Sequence, residues 1–257
     1  MEIKTITICG GGNAAHAMIS IIRNYFSGKL NLFLPFGDET NHFQKLIDEK
    51  RFLTATIGDN ELYGRPDKVS KFAKEVCKEA DLILMPLPAF AHEQTLLQIV
   101  PSLKEEAIIG AIPARSGFEY AALKILKDNN KEEVKIFGMQ TLPWACRIKE
   151  YATSVSILGK KESVGMAAFP HKIIFELTSF LSRVLDLKIE SLPNMLTLTL
   201  ANVGQIIHPG IMYGLFKGKE QIKFQKNEIP LFYQGYTREI AKILEGMRFE
   251  GTANNLL

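Results

Sequence analysis

The sequence predicts an α/β protein, a doubly wound parallel sheet followed by a smaller all-helical domain. Three observations carry this. Short apolar runs alternate with amphipathic stretches through the first half of the 257 residues, the pattern of parallel strands covered on both faces by crossover helices. A glycine turn, Gly10-Gly11-Gly12, separates the first apolar run from the first helical stretch. From Pro193 onward only helix signals remain.

Taken in order, residues 2–9 read as a strand ending at Gly10, 13–26 as a helix, 30–34 as a strand and 38–50 as a charged helix. Residues 51–58 read as extended, 67–78 as helix and 81–85 as a fully apolar strand. A helix over 91–100, a strand over 107–112, a helix over 118–128 and a strand over 134–139 follow. Near Pro170 the pattern changes to helix, first over 173–184 and later over 231–245, behind Pro230. The division is expected near residue 190, with the strand-and-helix domain over 1–190 and a helical domain over 191–257.

A hydrophobic content of 46% with 23% charged residues is ordinary for a globular chain. The net charge of +3 gives no argument for a nucleic-acid partner, which needs a clustered basic face. Three scattered cysteines, Cys9, Cys77 and Cys146, show no metal or redox spacing and suit a reducing, cytoplasmic compartment. The uncharged run 191–216 is long enough for a membrane helix. Pro193, Asn194, Asn202, Gln205, His208 and Pro209 inside it favour a buried helix and no membrane.

Gly10-x-Gly12-x-x-Ala15 fits the dinucleotide fingerprint of a Rossmann-type domain. Gly10 permits the tight turn, Gly12 lets the backbone approach a pyrophosphate, and small Ala15 lets helix and strand pack closely. Asn13, Ala14 and Ala15 open the helix whose free amides face the anion. An acidic residue at the end of the second strand would mark NAD(H); Asp38 and Glu39 arrive slightly late, and no arginine lies beside them for a 2′-phosphate. The cofactor is therefore NAD(H) or NADP(H), with NAD(H) favoured. His16 reads as a packing or hydrogen-bonding residue.

Three proline-bound loops follow strands: 85–93, 112–119 and 141–147. Ligands bind at such carboxyl ends in open parallel sheets. Arg115 and Arg147 are placed there to pair with a carboxylate, or else form surface ion pairs. Trp144 reads as core. Farther on, Thr199, Asn202, Gln205 and His208 recur every third position in the uncharged run. On one helix they make a slowly drifting polar stripe, expected to face a cleft between the domains, with Pro209 ending or kinking the helix. A histidine there is either a satisfied core residue or a proton-transfer group.

Five segments together resemble the octopine/nopaline (opine) dehydrogenases: 10–17 (GGGNAAHA), 88–93 (PAFAHE), 110–120 (GAIPARSGFEY), 141–148 (TLPWACRI) and 202–214 (NVGQIIHPGIMYG). They stand in family order over nearly the whole chain. The resemblance implies an NAD(P)H enzyme that condenses an amino acid with a 2-oxo acid and reduces the imine to a secondary-amine dicarboxylate. It implies His208 as acid/base, with Asn202 in the same motif, and Pro88 and Ala89 in a cofactor-side loop. It also implies Arg115, Cys146 and Gln205 at the substrate, Arg115 standing where several members carry glutamine. Small-molecule partners are expected, an amino acid and a 2-oxo acid, with the chain a monomer or homodimer. The family's helical domain normally runs on past the point where this chain stops, so the second domain is expected to be partial. Two alternatives stand beside this reading: a related 2-oxo or 2-hydroxy acid reductase, and a truncated dinucleotide-binding protein without catalysis.

Overall fold

The computed structural model describes residues 2–114, 117–200, 204–219 and 221–253. The chain opens with β1 (Thr5–Cys9), α1 (Asn13–Tyr25), β2 (Lys29–Phe33), α2 (Glu39–Asp48), β3 (Leu53–Ile57), β4 (Asn60–Gly64) and β5 (Lys68–Ser70). It continues through α3 (Ala73–Val76), β6 (Leu82–Met85), α4 (His92–Ile99), β7 (Ile108–Ala111), α5 (Phe118–Asp128) and β8 (Lys135–Met139). Then come β9 (Trp144–Glu150), β10 (Ser154–Lys160), β11 (Ser163–Phe169), α6 (Ile174–Val184) and β12 (Lys188–Ser191). Three helices follow: α7 (Met195–Leu200), α8 (Gly204–Phe216) and α9 (Arg238–Ala253). The chain forms two compact units, Met1–Thr199 and Leu200–Leu257.

In the first unit an eight-stranded sheet runs β12-β11-β8-β7-β6-β1-β2-β5. Every neighbouring pair is parallel except β11 on β8. Strand order reverses between β1 and β6, so the crevice where such sheets bind ligands lies at the end of β1. Its central strands are buried along their whole length, as a sheet covered on both faces requires. Asp81 ties this region together: its carboxylate accepts the Lys4 and Thr5 N–H groups at 2.8 Å each and takes the Lys104 ammonium. These partners outweigh its partial burial and hold its carboxyl below the usual carboxylate range.

Three differences from the sequence expectation stand out in this unit. Residues 67–78 are not one helix: Lys68–Ser70 pairs with β2 as β5, and only Ala73–Val76 is helical. The open edge of β2 overrides local helix propensity there. Residues 141–147 are not a loop throughout, because β9 begins at Trp144 and pairs with β10. With β3 and β4 these strands form a second sheet, β4-β3-β10-β9, which packs on α1. The main sheet is also not wholly parallel.

In the second unit α8 packs on α9 around Ile211, Leu215 and Ile240. Gly210 and Gly214 lie against Leu244 and Ile240, leaving no room for a Cβ, so the i, i+4 glycine pair sets the close approach of the two helices. Pro209 lies inside α8 and does not end it. That position costs about 3 kcal/mol in an isolated helix, which the packing of Ile211 and Leu215 offsets. The later helix starts at Arg238, not near 231, because Thr237 caps it: Ile240 N–H donates to Thr237 Oγ1 (3.3 Å).

Candidate functional site

The glycine turn at the end of β1 is built by three glycines with three different surroundings. Gly10 has φ +95°, its N–H donates to Phe33 O (2.9 Å), and a Cβ on it would lie 2.6 Å from Leu87 Cδ2. It thus fixes the turn to the end of β2 and to the loop after β6. Gly11 lies against the Tyr151 hydroxyl, and its Cβ would stand 3.1 Å from the Glu39 carboxylate. Gly12 has φ −79° and ψ −175°, and nothing lies within 4 Å of where a Cβ would stand. That open space is the approach a pyrophosphate requires.

The hydrogen-bond ladder of α1 starts with His16 N–H donating to Gly12 O (3.1 Å). The Asn13, Ala14 and Ala15 amides precede it and are the helix's uncommitted donors. Ala14 and Ala15 are buried, so helix and strand approach closely. These features fit a dinucleotide's phosphates and supply the positive end of a helix dipole.

The second sheet backs this turn. Asn13 Oδ1 accepts the Ile148 N–H of β9 (2.7 Å), and His16 Nε2 accepts the Ala152 N–H (2.9 Å). His16 Nδ1 lies 3.0 Å from Gly12 O. Burial lowers the His16 pKa to about 4. Glu39 Oε2 and Tyr151 Oη are sealed from solvent and interact with each other. Burial raises the Glu39 carboxyl above its ordinary range, and burial with the Glu39 charge pushes the Tyr151 hydroxyl up. Nothing local in the sequence marks Tyr151 as a neighbour of Gly11.

The loop after β6 holds Pro88 and Ala89 on the surface, at the start of a short 3-10 turn over Ala89–Ala91. His92 is buried beneath it, its Nε2 3.0 Å from Leu87 O and its ring edge-on to Phe118. Burial lowers its pKa. Phe90 is 88% exposed at the tip. After β7, Ala114 N–H donates to Met139 O (2.9 Å), while Arg115 lies outside the described residues. Cys146 on β9 is buried in the core beside Trp144, and burial pushes its thiol up. Arg147 is exposed, and its Nη1 donates to Cys146 O (2.9 Å).

In the second unit His208 is exposed on α8. Its Nε2 lies 3.2 Å from Tyr233 Oη, and its ring packs on Phe232 at 5.5 Å. No local pattern marks Tyr233, which is 25 residues away in a loop. Thr199 belongs to α7 and His208 to α8. Asn202, between them, and the Gln205 side chain lie outside the described residues, so the four-residue stripe is not described as one face.

No family model matches the chain. It is 31% identical to the opine dehydrogenase of Haliotis discus hannai over 96% of its own length and 62% of that protein's. With the tauropine dehydrogenase of Arabella iricolor it shares 29% identity over 96% of its own length and 64% of the relative. The chain is a relative of the opine dehydrogenases. The same likeness holds in three dimensions: the structure of octopine dehydrogenase with NADH and agmatine superposes with a TM-score of 0.80 and 27% identity, covering 93% of this chain and 60% of that one. Octopine dehydrogenase with NADH and L-arginine, and with NADH and pyruvate, superposes equally well. The chain therefore has the α/β fold of the opine dehydrogenases and spans under two thirds of their length. Among the described residues no helix is long and apolar enough to cross a membrane.

Proposed function

We propose that this chain is the cofactor-binding domain, over 1–190, and part of the helical catalytic domain, over 191–257, of an NAD(P)H-dependent opine dehydrogenase. The observation that carries the reading is the open space at Gly12 in front of the uncommitted α1 amides, in a chain related throughout to dehydrogenases of this kind. Gly10, Gly12, Asn13, Ala14 and Ala15 hold the pyrophosphate, with Pro88 and Ala89 at the neighbouring loop. A bound nicotinamide cofactor supplies the reducing hydride. NAD(H) is favoured over NADP(H), because the Glu39 carboxylate beside Gly11 would repel a 2′-phosphate and accept from ribose hydroxyls.

The reaction joins the amino group of an amino acid to the carbonyl carbon of a 2-oxo acid, loses water and reduces the C=N bond. His208 is the general acid/base that delivers the proton to the departing hydroxyl, with Asn202 beside it in the motif. Arg115, Cys146 and Gln205 contribute to holding the substrates, Arg115 as the partner for a carboxylate. Octopine dehydrogenase structures with L-arginine and with pyruvate support this pair of substrate classes. Three buried free cysteines support a reducing, cytoplasmic setting, with the enzyme a monomer or homodimer.

The test is NADH and NADPH oxidation with panels of amino acids and 2-oxo acids. The expected result is turnover only when both substrates are present, abolished in His208→Ala. Turnover with a 2-oxo acid alone overturns the reading in favour of a simple 2-oxo acid reductase. Cofactor binding without turnover leaves a dinucleotide-binding protein.

A further inference from the structure

We propose that His16 is the positioning residue of the dinucleotide turn, fixing the Gly12 peptide so that the first amides of α1 face the cofactor's phosphates. The inference rests on the reading of that turn as a cofactor site. It starts from a tautomer that the backbone dictates. The Ala152 N–H lies 2.9 Å from His16 Nε2 and can only donate. Nε2 is therefore the unprotonated acceptor. The ring proton sits on Nδ1 and is donated to Gly12 O at 3.0 Å.

Gly12 O accepts a second donor, the His16 backbone N–H, at 3.1 Å. One residue thus holds one carbonyl from two directions. The peptide unit is planar, so the Gly12 carbonyl and the Asn13 N–H point opposite ways in one plane. Fixing the oxygen toward the imidazole aims the Asn13 N–H away from it, to the side where Gly12 leaves space for a phosphate. The ring itself has no freedom to turn. It is fully buried, edge-on to Phe43 (5.1 Å) and Tyr151 (4.9 Å). A protonated ring would set an N–H against the Ala152 N–H, and burial keeps His16 neutral down to about pH 4.

A leucine would fill the same volume without holding the carbonyl. Two polar variants separate positioning from packing. Asparagine places its amide donor where Nδ1 stands, and glutamine reaches with its carbonyl to where Nε2 stands. In the 257-residue chain, NADH and NADPH affinities are measured by fluorescence titration well below each variant's Tm. His16→Asn should bind within about threefold of wild type, whereas His16→Gln and His16→Leu should weaken binding about tenfold. At saturating cofactor kcat should change little in any of them. Equal affinities for His16→Asn and His16→Gln, or the reverse order, overturn the inference while leaving the cofactor site in place. If the wild-type chain binds neither NADH nor NADPH, the reading of the turn falls and the inference with it. Should His16→Leu fail to fold, the asparagine and glutamine pair still decides.

Discussion

Alanine at Gly12 should separate cofactor binding from folding. The backbone there is ordinary extended chain, and no atom lies within 4 Å of an added Cβ. Replacing such a glycine narrows the unfolded ensemble and stabilises by about 0.4–1 kcal/mol. At about 2–4 °C per kcal/mol for a chain of this size, Gly12→Ala should keep or raise Tm by up to ~4 °C. In the complex the same methyl stands where the pyrophosphate must approach, so the Kd for NADH should rise about tenfold or more, roughly 1.4 kcal/mol. Gly10→Ala should behave in the opposite way. Its φ of +95° and the 2.6 Å approach to Leu87 Cδ2 cost about 1–3 kcal/mol in folding. Tm should then fall by roughly 2–12 °C. Thermal denaturation by circular dichroism and NADH fluorescence titration read the two effects independently. A Gly12→Ala chain that binds NADH as tightly as wild type, at unchanged Tm, would refute the assignment of this turn to the phosphates.

Acid should weaken the fold through His16. Its pKa is about 4 against an ordinary 6.5, so between those values the unfolded chain takes up a proton that the folded chain excludes. The stability from the neutral ring is full above about pH 6.5 and is lost as pH falls toward 4. Urea unfolding should show about 2 kcal/mol less stability at pH 5 than at pH 7.5. His92, lowered in the same direction, adds to the drop. A slope no smaller in His16→Asn than in wild type would count against this account. At the other unit, Tyr233→Phe removes the His208 partner at 3.2 Å from an exposed pair. It should leave Tm within about 1 °C and lower kcat by about threefold to tenfold, with cofactor KM unchanged; unchanged kcat would remove Tyr233 from the proton-handling group.

How much of this was legible follows from the range of the signal. The alternation through β8 is local, and α5 spans Phe118–Asp128 as its apolar spacing requires. β5 is three residues long and exists because β2 offers an open edge, which no local window contains. β9 carried a local signal, since Trp144 and Cys146 are buried in alternation with exposed Ala145 and Arg147, but Pro143 and the short spacing read as a rigid loop. The site divides in the same way. Gly10, Gly12 and His208 are visible as motif residues. Tyr151 reaches Gly11 across 140 positions of chain, and Ala152 reaches His16 across 136. Contacts of that separation leave no periodic trace.

The three glycines sharpen the functional argument, because each is small for a separate reason. Gly10 is required by its backbone angle, and Gly11 by the Tyr151 hydroxyl packed against it. Both would be needed whether or not anything bound there. Gly12 alone has neither constraint. In the chain by itself a glycine at that position costs about 0.4–1 kcal/mol relative to alanine through the entropy of the unfolded state, with no gain in the folded protein to offset it. On the proposed function, a ligand that occupies the empty space supplies the offsetting gain. The uncommitted α1 amides beside it select an anion, and the strand-order reversal at β1 and β6 sets it in the crevice of the sheet. The glycine that the fold does not need is the one that identifies the ligand's approach.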